Sequence, residues 1–206
     1  MTATTLSVAA GIARGPKPEA LAAIAHPGNA AALWERDLPS GFATWIDALP
    51  PTRLPVLRAA GAPSALLPQL EQAASHLPPG PWRDFLVADI LDLAHRSARI
   101  LATRTLRLRL EAIDDDACRR FHVDRVRARL LCTYRGAGTE LAHPAPAGAT
   151  PEPLERLATG TVAILRGTLW SAREATGLLH RSPPFGPGDT PRLLLVLDPG
   201  DACDCC

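Results

Sequence analysis

A histidine and an aspartate that stand one residue apart could act together as metal ligands in this chain. They are His122 and Asp124 in the string RRFHVDRVRARLLCTY, whose later residues roughly alternate between large apolar and polar types. Side chains at positions i and i+2 of a β-strand project to the same face. The imidazole and the carboxylate would therefore point together, with Val123 on the other face. The alternative for such a histidine is a hydrogen-bonded residue of the core.

A third ligand is needed to hold a metal ion on one face of a barrel. His180 is the candidate, because it lies in the later strand-like string GLLHRSPP, directly after two leucines. Two histidines and one carboxylate form the facial triad that leaves coordination positions open on Fe(II). The sequence thus predicts a metal site at His122, Asp124 and His180.

The C-terminal half has the period-two pattern of the strands that such a site requires. From Thr105 to Ile113, apolar residues alternate with charged ones, which indicates a strand with one buried face. Further strand-like runs follow between turns: CRRFHVD, VRARLLCTYRG, TVAILRGTLW, GLLHRSPP and RLLLVLD. About six short strands after a helical segment predict an α+β fold built on an antiparallel double-stranded β-helix, that is, a jelly-roll or cupin-like barrel.

The first half predicts helices packed on that barrel. Residues 82–101 show the clearest helical periodicity. Shorter elements are predicted before them: helices at 19–25, at 40–49 with Ser40 as N-cap and at 64–75, and a strand at 31–38. We therefore divide the chain into three parts: a mainly helical segment at 1–102, a metal-binding barrel at 103–199 and a cysteine-rich tail at 200–206.

Length and composition predict a globular protein without a general affinity for polyanions. The chain has 206 residues, 47% of them hydrophobic, and a formal net charge of +1. It can bury a substantial core, and its charge gives no reason to expect nucleic acid or a membrane as partner. No signal peptide or membrane-spanning run is recognised. The five cysteines do not form an evenly spaced disulfide framework, so a reducing cytoplasm is expected.

The order of the candidate ligands resembles the iron(II)/2-oxoglutarate oxygenase superfamily. Members carry a His-x-Asp pair, a distant histidine and then an arginine on strands of a double-stranded β-helix, and residues 105–198 contain this order, ending at Arg192. The resemblance implies Fe(II) and 2-oxoglutarate as cofactors, with Arg192 binding the far carboxylate of 2-oxoglutarate. A guanidinium fork suits a carboxylate at the bottom of a barrel.

Longer strings resemble a bacterial family named domain of unknown function 1826. They are DDDACRRFHVDRVRARLLCTYRGAGTE, GTVAILRGTLW, HRSPP and RLLLVLD, while AALWERDLP echoes a Trp/Arg motif of that family. Its members are often encoded beside zinc-homeostasis genes and metal-chaperone GTPases. The resemblance therefore implies a link to metal supply and such a GTPase as a candidate partner, but no reaction.

Several arginines compete for the role of the anion-binding residue. Arg192 could instead be solvated or paired with Asp189. Arg181 is one rival, and Arg127 with Arg129 is another, because these two would share a strand face and could build an anion site by themselves.

Other residues have two interpretations each. Tyr134, the only tyrosine, ends the VRARLLCTY run, where its hydroxyl could donate to the cosubstrate, with ordinary packing as the alternative. His143 is either a surplus metal ligand or a solvated loop residue. The string GAGTE is either a tight turn or, through Thr139 and Glu140, part of the barrel mouth.

The C-terminus concentrates thiols. Cys203, Cys205 and Cys206 stand within the last four positions. Thiolates so close together could bind Zn(II) or Cu(I), although three ligands at a chain end do not make a closed site, and the alternative is a tail without a role. Cys118 and Cys132 are expected to be packed or incidental thiols.

Two functions follow from these patterns. The first is a non-haem Fe(II)/2-oxoglutarate-dependent dioxygenase acting on an unknown small molecule or protein. The second is a non-catalytic metal-binding protein that senses, stores or carries zinc. The two differ in whether Arg192 faces the metal.

Overall fold

The computed structural model of the protein describes residues 7–115 and 118–200. Its strands are β1 (Ser7–Ala9), β2 (Gly11–Gly15), β3 (Asn29–Trp34), β4 (Leu57–Gly61), β5 (Leu106–Ile113), β6 (Ala128–Arg135), β7 (Glu140–Ala142), β8 (Glu155–Arg156), β9 (Val162–Arg166), β10 (Glu174–Thr176), β11 (Leu179–Arg181) and β12 (Arg192–Pro199). Its α-helices are α1 (Phe42–Asp47), α2 (Leu67–Ala74) and α3 (Pro81–Ile100), and short 3-10 helices cover Pro18–Ala25, Pro51–Arg53 and Pro63–Ala65.

Seven strands form a main sheet in the order β2-β3-β9-β6-β12-β5-β4. All neighbours in this sheet are antiparallel except β2 and β3, which are parallel. The strand β12, which lies between β6 and β5, is buried over its whole length. A strand covered on both faces needs apolar residues at successive positions, which explains the continuous run LLLVL.

One face of the main sheet packs on the helices. The longest helix, α3, buries Leu86, Ile90 and Leu93, which share one face at helical spacing. These side chains belong to the same core as Leu108 of β5 and Leu130 of β6. The helix begins at Pro81, directly after the N-cap residue Gly80, and in the first turn the missing N–H of proline costs no hydrogen bond.

The other face of the main sheet packs on a small sheet of order β11-β7-β8. A second core lies between them, in which Leu131 and Val196 of the main sheet belong with Leu141 of β7 and Leu178. The remaining pair, β1 and β10, is parallel and forms a separate two-stranded sheet. The chain is thus layered as helices, main sheet and small sheet.

The expected α+β class with a sheet core is confirmed, but the first half is not only helical. It contributes β2, β3 and β4 to the main sheet, and β4 pairs with β5 across the boundary expected at residues 102 and 103. The strand expected at 31–38 is confirmed as β3, whose residues Ala30–Leu33 are all buried, whereas β2 and β4 were not expected. The helix α1 is capped by Gly41, in a left-handed conformation, and not by Ser40.

The strand expected over CRRFHVD is wrong. In this segment only His122 makes a ladder contact, an isolated antiparallel bridge to His180. Cys118 has a φ of 58°, which no regular strand contains, so the extended conformation does not continue back from the bridge. Among the described residues, no helix is both long and apolar enough to cross a bilayer.

Candidate metal centre

Two histidines face each other where the chain before β6 meets strand β11. The backbone N–H of His122 donates to the carbonyl of His180 at 3.0 Å, and the N–H of His180 donates back at 2.9 Å. Their rings lie with centroids 4.5 Å apart. A pair of backbone hydrogen bonds therefore sets the distance between two imidazoles that are far apart in sequence.

Asp124 supplies a carboxylate between these rings. Its Oδ1 lies 3.6 Å from Nε2 of His122, and its Oδ2 lies 3.1 Å from Nε2 of His180. One ligand atom from each residue falls within 4.8 Å of the other two. Within the described part of the chain, these three residues are the group of His, Cys, Asp and Glu side chains that could hold a metal ion. The structure thus brings together the three ligands expected from sequence.

The orientation of His122 is determined by a backbone contact. Its Nδ1 lies 2.8 Å from the carbonyl oxygen of Arg120, and because a carbonyl only accepts, Nδ1 must carry the proton and donate. In the neutral ring, Nε2 is then the nitrogen that carries the lone pair and could bind a metal. Such a contact at the far ring nitrogen is the usual support of a metal-binding histidine.

Arg129 of β6 holds the carboxylate of Asp124 in place. Its Nη1 donates to Oδ1 of Asp124 at 2.5 Å, while Nε and Nη2 donate to the two oxygens of Asp198 at 2.7 and 2.8 Å. This guanidinium is engaged by two carboxylates, so it does not form the anion site with Arg127 that the sequence left open. One oxygen of Asp124 is occupied by this contact and the other is left for a ligand.

The charges of the cluster shift the pKa values of its members. Burial raises the pKa of Asp124, but the adjoining His122 and His180 and the charge of Arg129 outweigh it, so the pKa lies well below its usual range. The Asp124 carboxylate raises the pKa of His122. Burial lowers the pKa of His180, against the attraction of Asp124. An anionic Asp124 and a neutral His180 at neutral pH are the forms that bind metals.

The residues present fit a divalent transition metal. Oδ2 of Asp124 is buried without a hydrogen-bond partner, although Nε2 of His180 lies nearby. A buried carboxylate oxygen that lacks a donor is costly, and a cation between it and the two imidazoles would satisfy it. Two imidazole nitrogens and one carboxylate oxygen on one side are the donor set of a facial triad.

A cavity of about 380 Å³ lies beside the triad. His122, His180 and Arg129 contribute to its wall. Apolar residues of the main sheet and charged residues of β4 and β5 complete it: Leu131, Leu194, Val196, Arg58, Arg109 and Glu111. A cavity of this size suits a small organic ligand next to the metal ligands.

Arg192 lies at the start of β12 and is only 3% exposed. Its Nη1 donates to Oγ of Ser182 at 2.8 Å, and its Nη2 lies 3.4 Å from the hydroxyl of Thr139 and 3.5 Å from that of Thr133. Its Nε has no hydrogen-bond partner. Ser182 and Thr139 both line the cavity beside the triad. Thr139 therefore lies at the wall of this cavity, and Glu140 does not line it.

Burial lowers the pKa of Arg192 to about 10, and the charge of Arg156 acts in the same direction. The guanidinium still carries its charge at neutral pH. No carboxylate in residues 7–115 or 118–200 pairs with it, since Asp189 accepts from the N–H of Gly186 instead. Arg192 is thus a buried cation that forms its hydrogen bonds with hydroxyl groups.

The rival arginine Arg181 is engaged elsewhere. Its Nε donates to Oε2 of Glu140 at 2.7 Å, and its guanidinium stacks on the ring of Phe121 at 4.3 Å. Glu140 also accepts from Arg156 at 2.7 Å. These contacts connect β11 to the segment before His122, so they support the site without presenting a free cation to it.

The cosubstrate role expected for Tyr134 is wrong, and the alternative of ordinary packing is confirmed. Its side chain belongs to the core between the main sheet and the helices, with Phe42 at a ring-centroid distance of 6.1 Å. Its hydroxyl donates to Asp89 of α3 at 2.5 Å. The alternation of β6 is the cause, because Tyr134 shares a face with Leu130, whereas Arg129 projects to the site.

The other candidate ligands lie apart from the triad. His143 is exposed in a loop, where its Nδ1 contacts the carbonyl of Gly177 at 3.3 Å. Cys118 lines the cavity and Cys132 is buried, and both are free thiols. The tail residues Cys203, Cys205 and Cys206 lie outside the described residues.

Sequence reasoning did not find the support of the site by Arg129 and Asp198. Both residues stand at the ends of apolar strands, where a charged side chain is unexpected unless it is paired. A matching pair of opposite charges on β6 and β12 was the available signal, but it required knowing that these two strands are neighbours.

Comparisons with known proteins identify the family of the chain. The model of a family described as "Protein of unknown function (DUF1826)" matches residues 15–198. No curated protein matches the chain.

Similar solved structures include a dioxygenase for auxin oxidation from rice. It shows 15% identity, with 95% of this chain and 83% of that chain covered and a TM-score of 0.46. A prolyl-4-hydroxylase from Pseudomonas putida shows 14% identity, 91% and 97% coverage and a TM-score of 0.40. An oxidoreductase of the 2OG-Fe(II) oxygenase family from Burkholderia pseudomallei shows 14% identity, with 91% of this chain and 94% of that chain covered and a TM-score of 0.38.

Proposed function

The chain belongs to the DUF1826 family, and from that premise we propose that it is a non-haem Fe(II) oxygenase that uses 2-oxoglutarate as cosubstrate. The observation that carries the proposal is the convergence of His122, Asp124 and His180 beside a cavity, with one buried carboxylate oxygen left without a partner. His122 and His180 would each provide Nε2, and Asp124 would provide Oδ2. When bound, Fe(II) would supply the redox chemistry that lets O2 react with an organic substrate.

Arg192 is the residue that connects this triad to 2-oxoglutarate. A buried guanidinium without a carboxylate partner has lost its hydration, and an incoming carboxylate would restore the missing partner. The hydroxyls of Ser182 and Thr139 contact the guanidinium, and because both residues line the cavity they could themselves donate to the same carboxylate. The keto acid end of 2-oxoglutarate would then extend toward the triad.

The arrangement of the sheets supports a double-stranded β-helix as the finer description of the fold. The small sheet faces the main sheet across a shared core, and the bridge between His122 and His180 adds one more pairing at the edge of the small sheet. A site enclosed between two facing sheets is what a jelly-roll barrel provides. The residues 103–199 would form the greater part of this barrel.

The alternative is a metal-binding protein without turnover, for which the same donor set would take Zn(II). A role in zinc homeostasis, a metal-chaperone GTPase as partner and a cytoplasmic location stay predictions from the sequence. The two functions differ at Arg192, because a carrier has no use for a buried cation that waits for an organic anion.

A binding experiment on Arg192 tests the proposal. Under anaerobic conditions, full-length protein loaded with Fe(II) is titrated with 2-oxoglutarate, and the visible charge-transfer band of the chelate is recorded together with the calorimetric Kd on protein loaded with Mn(II). We expect the band in the natural protein. We expect Arg192→Leu to bind the metal normally. Its affinity for 2-oxoglutarate should be about 10-fold or more weaker, because a charge-assisted pair is lost.

Arg104→Leu is the matched control, since Arg104 is exposed and does not line the cavity. It should leave both readouts unchanged. If the natural protein binds metal but shows neither the band nor succinate formation in air, the oxygenase proposal fails and the metal-binding alternative stands.

A further inference from the structure

We infer that the cavity beside the triad accepts an organic acid as the substrate to be oxidised, and that Arg109 binds the carboxylate of this acid. The oxidation rests on the proposed function, whereas the binding does not. The substrate class follows from the charges and apolar surfaces of the cavity wall.

Four arginines line the cavity, and three of them are closely paired. Each of the three forms an ion pair with a carboxylate: Arg58 with Glu111 at 2.6 Å, Arg129 with Asp198 at 2.7 Å, and Arg181 with Glu140 at 2.7 Å. These pairs satisfy the charge of each guanidinium. The remaining cation of the wall is Arg109.

Arg109 has only long contacts with carboxylates. It lies 3.8 Å from Oε1 of Glu111 and 3.8 Å from Oδ2 of Asp198. Across residues 7–115 and 118–200, no acceptor lies within hydrogen-bond distance of its guanidinium. Both of these carboxylates already accept from other arginines, Glu111 from Arg58 and Asp198 from Arg129. The guanidinium of Arg109 therefore has hydrogen-bond donors left for a ligand.

The position of Arg109 allows a ligand to reach both the guanidinium and the triad. Its side chain is 29% exposed and projects from β5 on the same face as Val196, its neighbour on β12. Leu131 is the next residue across the sheet, on β6. Both apolar side chains line the cavity with Arg109, so a molecule with a carboxylate at one end and an apolar body matches the wall.

The rim of the cavity favours a single negative charge. Asp114 and Asp115 line the cavity and are exposed. Their carboxylates would repel a second anionic group at the mouth, and Arg109 provides one fork for one carboxylate. A monocarboxylic acid therefore suits this wall better than a phosphate ester or a dicarboxylate.

Matched acids and amides test the inference without any reaction. The probes are 3-phenylpropanoate with 3-phenylpropanamide and hexanoate with hexanamide, each pair differing in charge but hardly in shape. Their dissociation constants are measured by calorimetry on full-length protein in the presence of a chelator, so that no metal can bind the carboxylate. We expect at least one acid to bind about 10-fold or more tightly than its amide, as for a charge-assisted hydrogen bond.

Variants locate the preference within the cavity. Arg109→Gln should abolish the preference by lowering the affinity for the acid and not for the amide, and Arg109→Lys should retain part of the preference. Glu111→Gln should raise the affinity for the acid, because the substitution removes a competing carboxylate and also frees Arg58. Arg104→Gln, which removes the same charge outside the cavity, should change nothing.

Two results would overturn the inference: equal affinity for acid and amide of both pairs in the natural protein, or an unchanged preference in Arg109→Gln. In the second case, a preference that disappears in Arg192→Leu would mean that the acids occupy the site proposed for 2-oxoglutarate. Failure of the oxygenase proposal gives a different result, with the acid preference intact and no 2-oxoglutarate band. The two proposals can therefore fail separately.

Discussion

Two buried polar clusters lie on opposite faces of the main sheet, and they differ in how completely their atoms are paired. On the helix side, Arg36 donates to both oxygens of Asp89 at 2.6 and 2.7 Å and to the carbonyl of Gly160 at 3.0 Å, while Tyr134 donates to Asp89 at 2.5 Å. The guanidinium also stacks on the ring of Trp34 at 4.5 Å. This helix-side cluster satisfies its charges within the chain.

The cluster on the other face leaves atoms unpaired. Oδ2 of Asp124 and Nε of Arg192 are buried and have no hydrogen-bond partner. A closed network stabilises a fold, whereas an open one costs stability unless a ligand completes it. Burial of charge therefore does not by itself indicate function, and the cluster with unpaired atoms is the one to test for a ligand.

The largest effect is expected from the histidines of the open cluster. His122→Ala and His180→Ala should each abolish stoichiometric binding of a divalent metal while the protein stays folded, because open sites usually contribute less to folding than closed structural ones. Metal content after dialysis and circular dichroism check this expectation. His143→Ala is the control and should retain the metal. One tightly bound metal in both triad variants would show that the ligands lie elsewhere.

The next largest effect is expected in the helix-side cluster, and on stability only. Asp89→Ala leaves Arg36 buried without its carboxylate, and breaking such a pair typically costs about 3–5 kcal/mol of unfolding free energy. Urea denaturation of the metal-free protein measures it. Metal affinity corrected for the folded fraction should not change. A loss of metal affinity with little loss of stability would mean that the two clusters have been assigned the wrong way round.

A smaller effect is expected where the sheet supports the open cluster. Arg129→Met removes the donor to Oδ1 of Asp124 but leaves all three metal ligands, so metal affinity should fall by about 10–100-fold, as for other residues that orient a ligand. Competition with a chelator of known affinity measures the change. Asp198→Asn, which keeps Arg129, should have a weaker effect in the same direction. An unchanged affinity in Arg129→Met would show that Asp124 needs no such support.

The smallest effect at the open cluster is expected from the tail. Deleting residues 203–206 should leave the metal at the triad in place and lower only the total capacity for Zn(II) or Cu(I), because a short thiol cluster at a chain end is not required by a site between sheets. Zinc and copper(I) titrations of both lengths measure it. Equal capacities would exclude metal binding by the cysteines.

Much of the site could be predicted from the sequence because it depends on local spacing and residue chemistry. His122 and Asp124 are close in the chain, and a two-residue spacing in extended backbone brings side chains together. His180 stands in a short apolar run, and the family strings around it are specific enough to recognise. The α+β class followed from a change of period near Thr105.

Only the tertiary structure decided which partners these residues have. Arg129 meets Asp198 because β6 and β12 are neighbours, and Tyr134 turns away from the site because it occupies the helix-facing side of β6. Long-range strand order is not encoded in any one segment, since it depends on the free energy of burying all strands together. The sequence therefore determined which groups could do chemistry, and the order of strands in the sheet decided which of them lie unpaired beside a cavity.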